Sequence, residues 1–270
     1  MKLEAWVNPY RIQLNSNQPA SLAANNPAVQ HPEWAVSANG GLYYNPALPE
    51  VQQLVVDGVK EIITNYDVDG IHFDDYFYPT TEESFDADTY AQMGQGMSLA
   101  DWRRQNVNQL VKKVYTTIKE TDSSIRFGIS PQGNNANNYD QQYSDVCLWL
   151  KEPGYVDYIM PQLYWGFGYL TSSGRTEYQF ANLCKQWADY PRDQAVSLYM
   201  GLGAWRIGEG DGGANDQAEW SSGNNLAKMV STLRETGCTG FALYRYDSLY
   251  ASSYADLAAV EASALAEVLQ

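Results

Sequence analysis

Basic residues, cysteines and long apolar runs are all scarce in this sequence, and each shortage argues against a class of protein. The 17 basic residues stand against 32 acidic ones, so the formal net charge is −15 at pH 7. Because phosphate backbones and anionic lipid surfaces repel such a chain, we expect neither nucleic acid nor a membrane as a partner. No segment approaches the roughly 18 consecutive apolar residues of a membrane span, and residues 1–10 lack the apolar core of a signal peptide.

The cysteine and metal-ligand patterns are equally sparse. Cys147, Cys184 and Cys238 are far apart, so we expect buried reduced thiols and not a disulfide or metal framework. No cluster of His, Asp and Glu has the spacing of a catalytic metal site, and no phosphate-binding loop follows the first predicted strand. We therefore predict no metal and no cofactor. The acidic loop over residues 209–219 is rich in oxygen ligands for calcium, but it departs from the EF-hand pattern.

Tyrosine and tryptophan, by contrast, are abundant. The chain has 21 tyrosines and 8 tryptophans against 7 phenylalanines. Aromatic rings with a polar tip suit a wet sugar-binding cleft, because they stack on the apolar faces of sugar rings and bond to hydroxyl groups. An ordinary aromatic-rich core explains the same composition equally well.

Strand-like and helix-like segments alternate along the chain. The predicted strands cover residues 3–7, 68–73, 125–130, 156–165, 195–203 and 239–246. The predicted helices cover residues 49–67, 98–118, 178–190, 224–236 and 255–269, and Ser98 with Asp101 forms a capping box. Repeated strand–helix units indicate an α/β protein with a parallel sheet. Nearly every strand runs into a polar and aromatic cluster, which favours a (β/α)8 TIM barrel, since all strand ends of a barrel meet at one face.

Several motifs carry a resemblance to a known family. They are WVNPYR (6–11), HPEW (31–34), LYYNPALPEV (42–51), DGIHFDDYFYP (69–79), LADWRRQNVNQLVKKVY (99–115), FGISPQG (127–133) and VDYIMPQLYW (156–165). Together they resemble the glycosyl-hydrolase-like family 10 of bacterial proteins, along almost the whole chain. The resemblance implies a TIM-barrel glycosidase that cleaves peptidoglycan glycan strands, particularly strands lacking peptide stems, at a cell-wall-associated location. It also implies that strands three to eight are present and the first two βα units are lacking. We thus expect one N-terminally incomplete barrel domain over residues 1–270.

The candidate catalytic residues are carboxylates, because glycoside hydrolysis usually takes an acid together with a nucleophile or base. Asp74 matches the nucleophile position of the related alpha-amylase-like barrels, and it is the predicted nucleophile or base. Asp75 is expected to share a proton with Asp74 or to support the Asp74 side chain, since a neighbouring carboxylate raises the pKa of a carboxyl group. Alternatively, both residues cap a helix or pair with Arg103 or Arg104.

A second carboxyl group is less defined. Asp247 is the predicted choice, beside Arg245, and the other candidates are Glu209, Asp211 and Glu219. An N-acetyl sugar can instead supply its own acetamido oxygen as nucleophile.

The predicted substrate-binding residues follow the strand ends. They are Asn8, Tyr10, Arg11, His72, Tyr76, Gln162, Tyr164, Trp165, Trp205, Arg206 and Arg245. A carbohydrate polymer is the expected partner. A non-catalytic glycan-binding module is the competing hypothesis, because no acid follows the sixth barrel strand.

Overall fold

The computed structural model describes residues 1–17, 19–213 and 216–270, without the side chains of residues 216 and 217. The chain divides into two compact units. Unit 1 contains Met1–Ile129 and Asn135–Asp157, and unit 2 contains Ser130–Asn134 and Tyr158–Gln270. None of the helices in these described ranges is long and apolar enough to cross a membrane.

Unit 1 combines a parallel and an antiparallel sheet with helices. Its strands are β1 (Glu4–Val7), β2 (Arg11–Gln13), β3 (Ala35–Ala38), β4 (Gly41–Tyr44), β5 (Gly70–Phe73) and β6 (Arg126–Ile129). Its helices are α1 (Pro27–Gln30), α2 (Pro49–Asn65), α3 (Ala87–Met93), α4 (Leu99–Thr121), α5 (Asn135–Asp140) and α6 (Val146–Lys151). Strand β5 lies between β1 and β6 and is parallel to both, while β4 lies antiparallel between β2 and β3.

Helix α4 shows how the sequence pattern becomes structure. The Ser98 hydroxyl accepts a hydrogen bond from the Asp101 amide at 3.1 Å, which satisfies one of the backbone donors that a helix start leaves open, and it donates to the Asp101 carboxylate at 2.6 Å. The helix buries one apolar stripe that includes Leu110, Val114 and Ile118, and it packs against α2. The predicted helix and its Ser98 cap are therefore confirmed, while the Asp101 carboxylate binds the Ser98 hydroxyl and not the Ser98 backbone amide that a capping box requires.

The antiparallel sheet was not predicted, although the sequence carries a signal for it. Asn39 and Gly40 join β3 to β4 with φ angles of 49° and 77°. An Asn-Gly pair in this left-handed conformation is the preferred two-residue turn of a β-hairpin. The hairpin places β4 beside β2, the short strand that follows β1 in the sequence.

Unit 2 is built around β9. Its strands are β7 (Tyr158–Ile159), β8 (Gln162–Leu163), β9 (Ser197–Leu202) and β10 (Gly240–Leu243). Its helices are α7 (Phe180–Asp189), α8 (Asp216–Trp220), α9 (Asn225–Arg234), α10 (Tyr246–Tyr250) and α11 (Ala255–Val268). Strands β7, β8 and β10 all pair in parallel with β9.

Two predicted strands of unit 2 need correction. The strand expected over residues 156–165 is broken into β7 and β8, because Pro161 between them has no amide hydrogen for the ladder. The carbonyl of Pro161 still accepts a hydrogen bond from the Gly201 amide at 2.9 Å. The strand expected over residues 239–246 ends at Leu243, since α10 begins at Tyr246. Within each unit the predicted α/β class, with parallel strands and helices, is confirmed.

Candidate active site

The site in unit 1 is built on the carboxyl end of β5. Side chains alternate along a strand, and Ile71 and Phe73 are fully buried on one face. His72 and Asp74 therefore lie on the opposite face. Strand register places Trp6 of β1 beside His72, so these side chains belong to one face of the sheet.

Asp74 is held by three hydrogen-bond donors. Trp6 Nε1 donates to Asp74 Oδ2 at 3.0 Å, and Asn8 Nδ2 donates to the same oxygen at 3.4 Å. The Tyr76 amide donates to Asp74 Oδ1 at 3.2 Å. The residue is only 4% exposed. Since all three groups donate, they favour the ionised carboxylate and fix its orientation.

Burial nonetheless raises the pKa of Asp74 to about 6, because water cannot solvate the charged form there. The negative charge of Asp75 adds to this rise. The donors Tyr76 and Trp6 and the cation of Arg11 oppose it. At pH 7 such a carboxyl is about nine-tenths ionised, yet it can still take up a proton near its working pH.

Asp75 is also buried, but it faces a different partner. Gln142 Nε2 donates to Asp75 Oδ2 at 3.2 Å. The alternative in which the two aspartates pair with nearby arginines is not what the structure shows. Arg103 binds Asp86, and Arg104 binds Asp101.

Exposed aromatic surface and a cation surround the buried carboxylate. Trp6 is 58% exposed and Tyr76 is 46% exposed. The Arg11 guanidinium lies 4.7 Å from the centre of the Tyr76 ring, and the Arg11 amide donates to Asn8 Oδ1 at 3.2 Å. The structure thus brings together Asn8, Arg11, Asp74 and Tyr76, as the sequence predicted, and adds Trp6.

His72 and Tyr10 occupy drier positions. Burial lowers the pKa of His72 to about 4, so its imidazole is neutral at pH 7. Tyr10 is fully buried, and its ring meets the edge of Phe77 at 6.5 Å between centroids. Its hydroxyl has no hydrogen-bond partner, and burial raises its pKa strongly. This position does not support the predicted contact of Tyr10 with a substrate, because the ring belongs to the core of unit 1.

The other predicted residues lie in unit 2 at the ends of β8, β9 and β10. The Tyr164 ring packs beside Trp205 and Tyr244, and Trp165 stacks on Tyr178 at 5.5 Å. The remaining contacts join Gln162 Nε2 to the Ser130 carbonyl at 2.9 Å, Arg206 to the Trp205 ring at 3.8 Å, and Arg245 Nε to Asp247 Oδ1 at 2.8 Å.

Two of the other candidate carboxylates have structural partners. Asp211 accepts from the Gly166 amide at 2.7 Å and from Trp220 Nε1 at 3.0 Å. Glu219 accepts from the amides of Phe167 and Gly168 at 2.5 and 2.9 Å. Residues 214 and 215 of the loop considered for calcium lie outside the described residues. Across the described part of the chain, no group of three or more His, Cys, Asp or Glu is arranged to hold a metal ion.

The fold is similar to that of a solved protein domain. The glycoside hydrolase domain of PgaB (BpsB) from Bordetella bronchiseptica superposes with a TM-score of 0.57 at 12% sequence identity. The match covers 97% of this chain and 74% of that domain. Solved structures with this fold include TIM-barrel glycoside hydrolases, so the α/β part of the predicted barrel is supported.

Sequence comparison makes the assignment more specific. The chain is 34% identical to glycosyl hydrolase YngK of Bacillus subtilis (strain 168) over 255 residues, which is 87% of this chain and 48% of that protein. It is 36% identical to glycosyl hydrolase DigH of Escherichia coli (strain K12) over 239 residues, which is 77% of this chain and 52% of that protein.

The chain thus spans about half the length of the curated relatives it matches. The profile of the family described as Glycosyl hydrolase-like 10 matches residues 1–222, and the chain belongs to this family. The predicted resemblance to this family is therefore confirmed.

Proposed function

We propose that the chain is the glycosidase part of an enzyme that cleaves O-glycosidic bonds in peptidoglycan glycan strands, with Asp74 as nucleophile or general base. The observation that carries the proposal is the setting of Asp74, a buried carboxylate held by three donors beside exposed aromatic rings. A nucleophile or base must be ionised and correctly oriented before the substrate arrives, and this arrangement supplies both conditions.

The groups around Asp74 suit a sugar ring. Trp6 and Tyr76 present aromatic surface to solvent, and such surface stacks on the apolar face of a pyranose. Arg11 and Asn8 add donors for hydroxyl, acetamido or lactyl oxygens near the same carboxylate. The proposed substrate class and the proposed cell-wall-associated location are both what the family resemblance implies.

The general acid is the open part of this mechanism. Asp247, whose carboxylate forms an ion pair with Arg245 at 2.8 Å, stays the proposed second carboxyl group. Asp211 and Glu219 bind backbone amides and hold their loops. An N-acetyl sugar that attacks through its own acetamido oxygen would need an orienting carboxylate and one acid.

The test is release of reducing ends from peptide-stripped glycan strands. We expect release by the unaltered chain and none by Asp74→Asn, because the amide can neither attack nor accept a proton. Asp189→Asn is the matched control, since Asp189 is exposed and forms an ion pair with Lys185 at 2.6 Å on the surface of α7. Equal release by all three proteins would remove Asp74 from the mechanism.

A non-catalytic glycan-binding module is the second candidate. The engaged carboxylates of Asp211, Glu219 and Asp247 favour it, because a binder needs no acid. Such a module would retain the same affinity for the strands in Asp74→Asn and would release no reducing ends in either form. Calorimetric titration with soluble glycan fragments separates the two candidates.

A further inference from the structure

We infer that Gln142 is a positioning residue, which orients the Asp75 carboxylate and thereby sets the charge beside Asp74. This inference deepens the proposed function and rests on it. Gln142 lies 67 residues from Asp75 in sequence, in the turn between α5 and α6. Its side-chain amide is the group that donates to Asp75 Oδ2 at 3.2 Å.

The orientation of the Gln142 amide is the first support. Gln142 Oε1 is buried and has no hydrogen-bond partner. An unpaired buried acceptor is unfavourable, and a surface loop would normally avoid it. Rotating the amide would aim this oxygen at the Asp75 carboxylate, where two acceptors repel each other. The observed orientation is therefore determined by the contact with Asp75.

The backbone of the turn is fixed as firmly as the side chain. The backbone N–H of Gln142 donates to the Asn137 carbonyl at 3.1 Å. Tyr143, the next residue, has a φ of 55°, a left-handed conformation that is uncommon for a bulky residue and needs support from its surroundings. That support is Arg103, whose Nη1 donates to the Tyr143 hydroxyl at 3.0 Å.

Arg103 connects this turn to the loop that carries the two aspartates. Its fully buried guanidinium lies 5.0 Å from the Tyr143 ring and 5.2 Å from the Tyr78 ring. The two rings also meet edge to face at 5.2 Å. Bidentate contacts to Asp86 hold Arg103 in place. The segments 74–79 and 142–143 are thus joined at two points, once between Asp75 and Gln142 and once between the tyrosines.

The charges around Asp74 and Asp75 indicate which property the residue at position 142 should affect, namely the ease with which these carboxyl groups ionise. Asp74 faces Asp75 on its own loop, Arg11 from β2 and the phenol of Tyr76, and the neutral imidazole of His72 lies on the same strand face. A neutral amide at position 142 adds no charge to this set. A carboxylate there would add a negative charge next to Asp75 and make ionisation of both aspartates harder.

The test compares Gln142→Glu with Gln141→Glu. Gln141 is exposed and adjacent, so Gln141→Glu adds the same charge one residue away from the contact. The readout is the pH titration of aspartate carboxyl carbons by NMR, with the Asp74 and Asp75 signals assigned from Asp74→Asn and Asp75→Asn. We expect Gln142→Glu to increase the proton affinity of Asp74 about three- to tenfold and Gln141→Glu to change it less than twofold.

A second variant keeps the inference testable if the added charge disturbs folding. Gln142→Met preserves the side-chain length and removes the donor, and it should lower kcat about tenfold while KM changes less than twofold. Unchanged titration of both aspartates in a folded Gln142→Glu protein would overturn the inference, and so would an unchanged kcat in Gln142→Met. Absence of glycan release by the unaltered chain would instead refute the proposed function, while the titration would still decide the role of Gln142.

Discussion

The raised pKa of Asp74 predicts that its ionisation destabilises the folded protein as the pH rises. The folded-state pKa is about 6, above the ordinary value of 3.8 that the unfolded chain should show. The stability that this difference provides is fully present below pH 3.8 and is lost as the pH rises through 6. Asp74→Asn removes this dependence, because an amide does not titrate. At neutral pH the buried charge therefore lowers the stability of the unaltered protein.

The size of the effect follows from the two pKa values. Their difference corresponds to a total of about 3 kcal/mol, at about 1.4 kcal/mol per pKa unit. Part of this change falls below the pH range that is convenient for unfolding experiments. Between pH 4.5 and pH 8, the free energy of unfolding of the unaltered protein should decrease by about 2 kcal/mol relative to that of Asp74→Asn. Titrating groups that lie far from Asp74 are common to both proteins and cancel in the comparison.

Urea unfolding at several pH values measures this difference directly. The pH-dependent part of the difference is the informative quantity, because Asp74→Asn also places its amide nitrogen against one of the two donors, Trp6 or Tyr76, and so adds a constant cost. Asp189→Asn should show a nearly constant difference over the same range. A constant difference for Asp74→Asn as well would refute the reasoning, since it would mean that burial does not raise the pKa of this carboxyl group.

Two further predictions concern the frame of the site. Arg103→Met should lower the free energy of unfolding by about 3–5 kcal/mol, because it leaves the Asp86 carboxylate buried without its ion-pair partner. Arg104→Met breaks a pair with the exposed Asp101 and should lower the free energy of unfolding by less than about 1 kcal/mol. Equal losses in the two variants would contradict the prediction. Gly70→Ala should destabilise the protein by about 1–3 kcal/mol, because its Cβ would lie 2.8 Å from the Glu4 side chain and 3.0 Å from the Arg126 carbonyl oxygen. Gly58→Ala in α2, where a Cβ meets nothing within 4 Å, should instead stabilise the protein by about 1 kcal/mol. If thermal unfolding shows stability changes of the same sign for both glycine variants, the packing argument is wrong.

Local patterns predicted much of the fold. Apolar runs located the parallel strands, and the 3.6-residue period located α2, α4, α7, α9 and α11 close to their observed bounds. The spacing of His72 and Asp74 also predicted that both lie on one face of β5, because alternation along a strand is a local property. These successes concern features that a few neighbouring residues determine.

The missed features depend on contacts between distant segments. Trp6 and Gln142 bind Asp74 and Asp75 across 68 and 67 residues of sequence, and a single sequence gives no direct sign of such pairs. Tyr10 follows a strand end like its neighbours, yet packing against Phe77 buries it completely. The β3–β4 hairpin is different, because its Asn-Gly turn is visible in the sequence and would have located the antiparallel sheet.

The two adjacent aspartates are best understood through what each of them binds. A purely structural carboxylate in this position would gain stability from a cation close enough to offset its burial, as Asp86 does from Arg103. Asp74 instead binds neutral donors and has a second carboxylate as its neighbour in sequence, so its burial is only partly compensated and its pKa rises. Perturbed groups of this kind concentrate at sites of catalysis, where a proton must be gained or lost near neutral pH. The buried Arg103 and the turn at Gln142 contact the segment that carries both aspartates, and this setting is the reason why we propose Asp74 as the catalytic carboxylate.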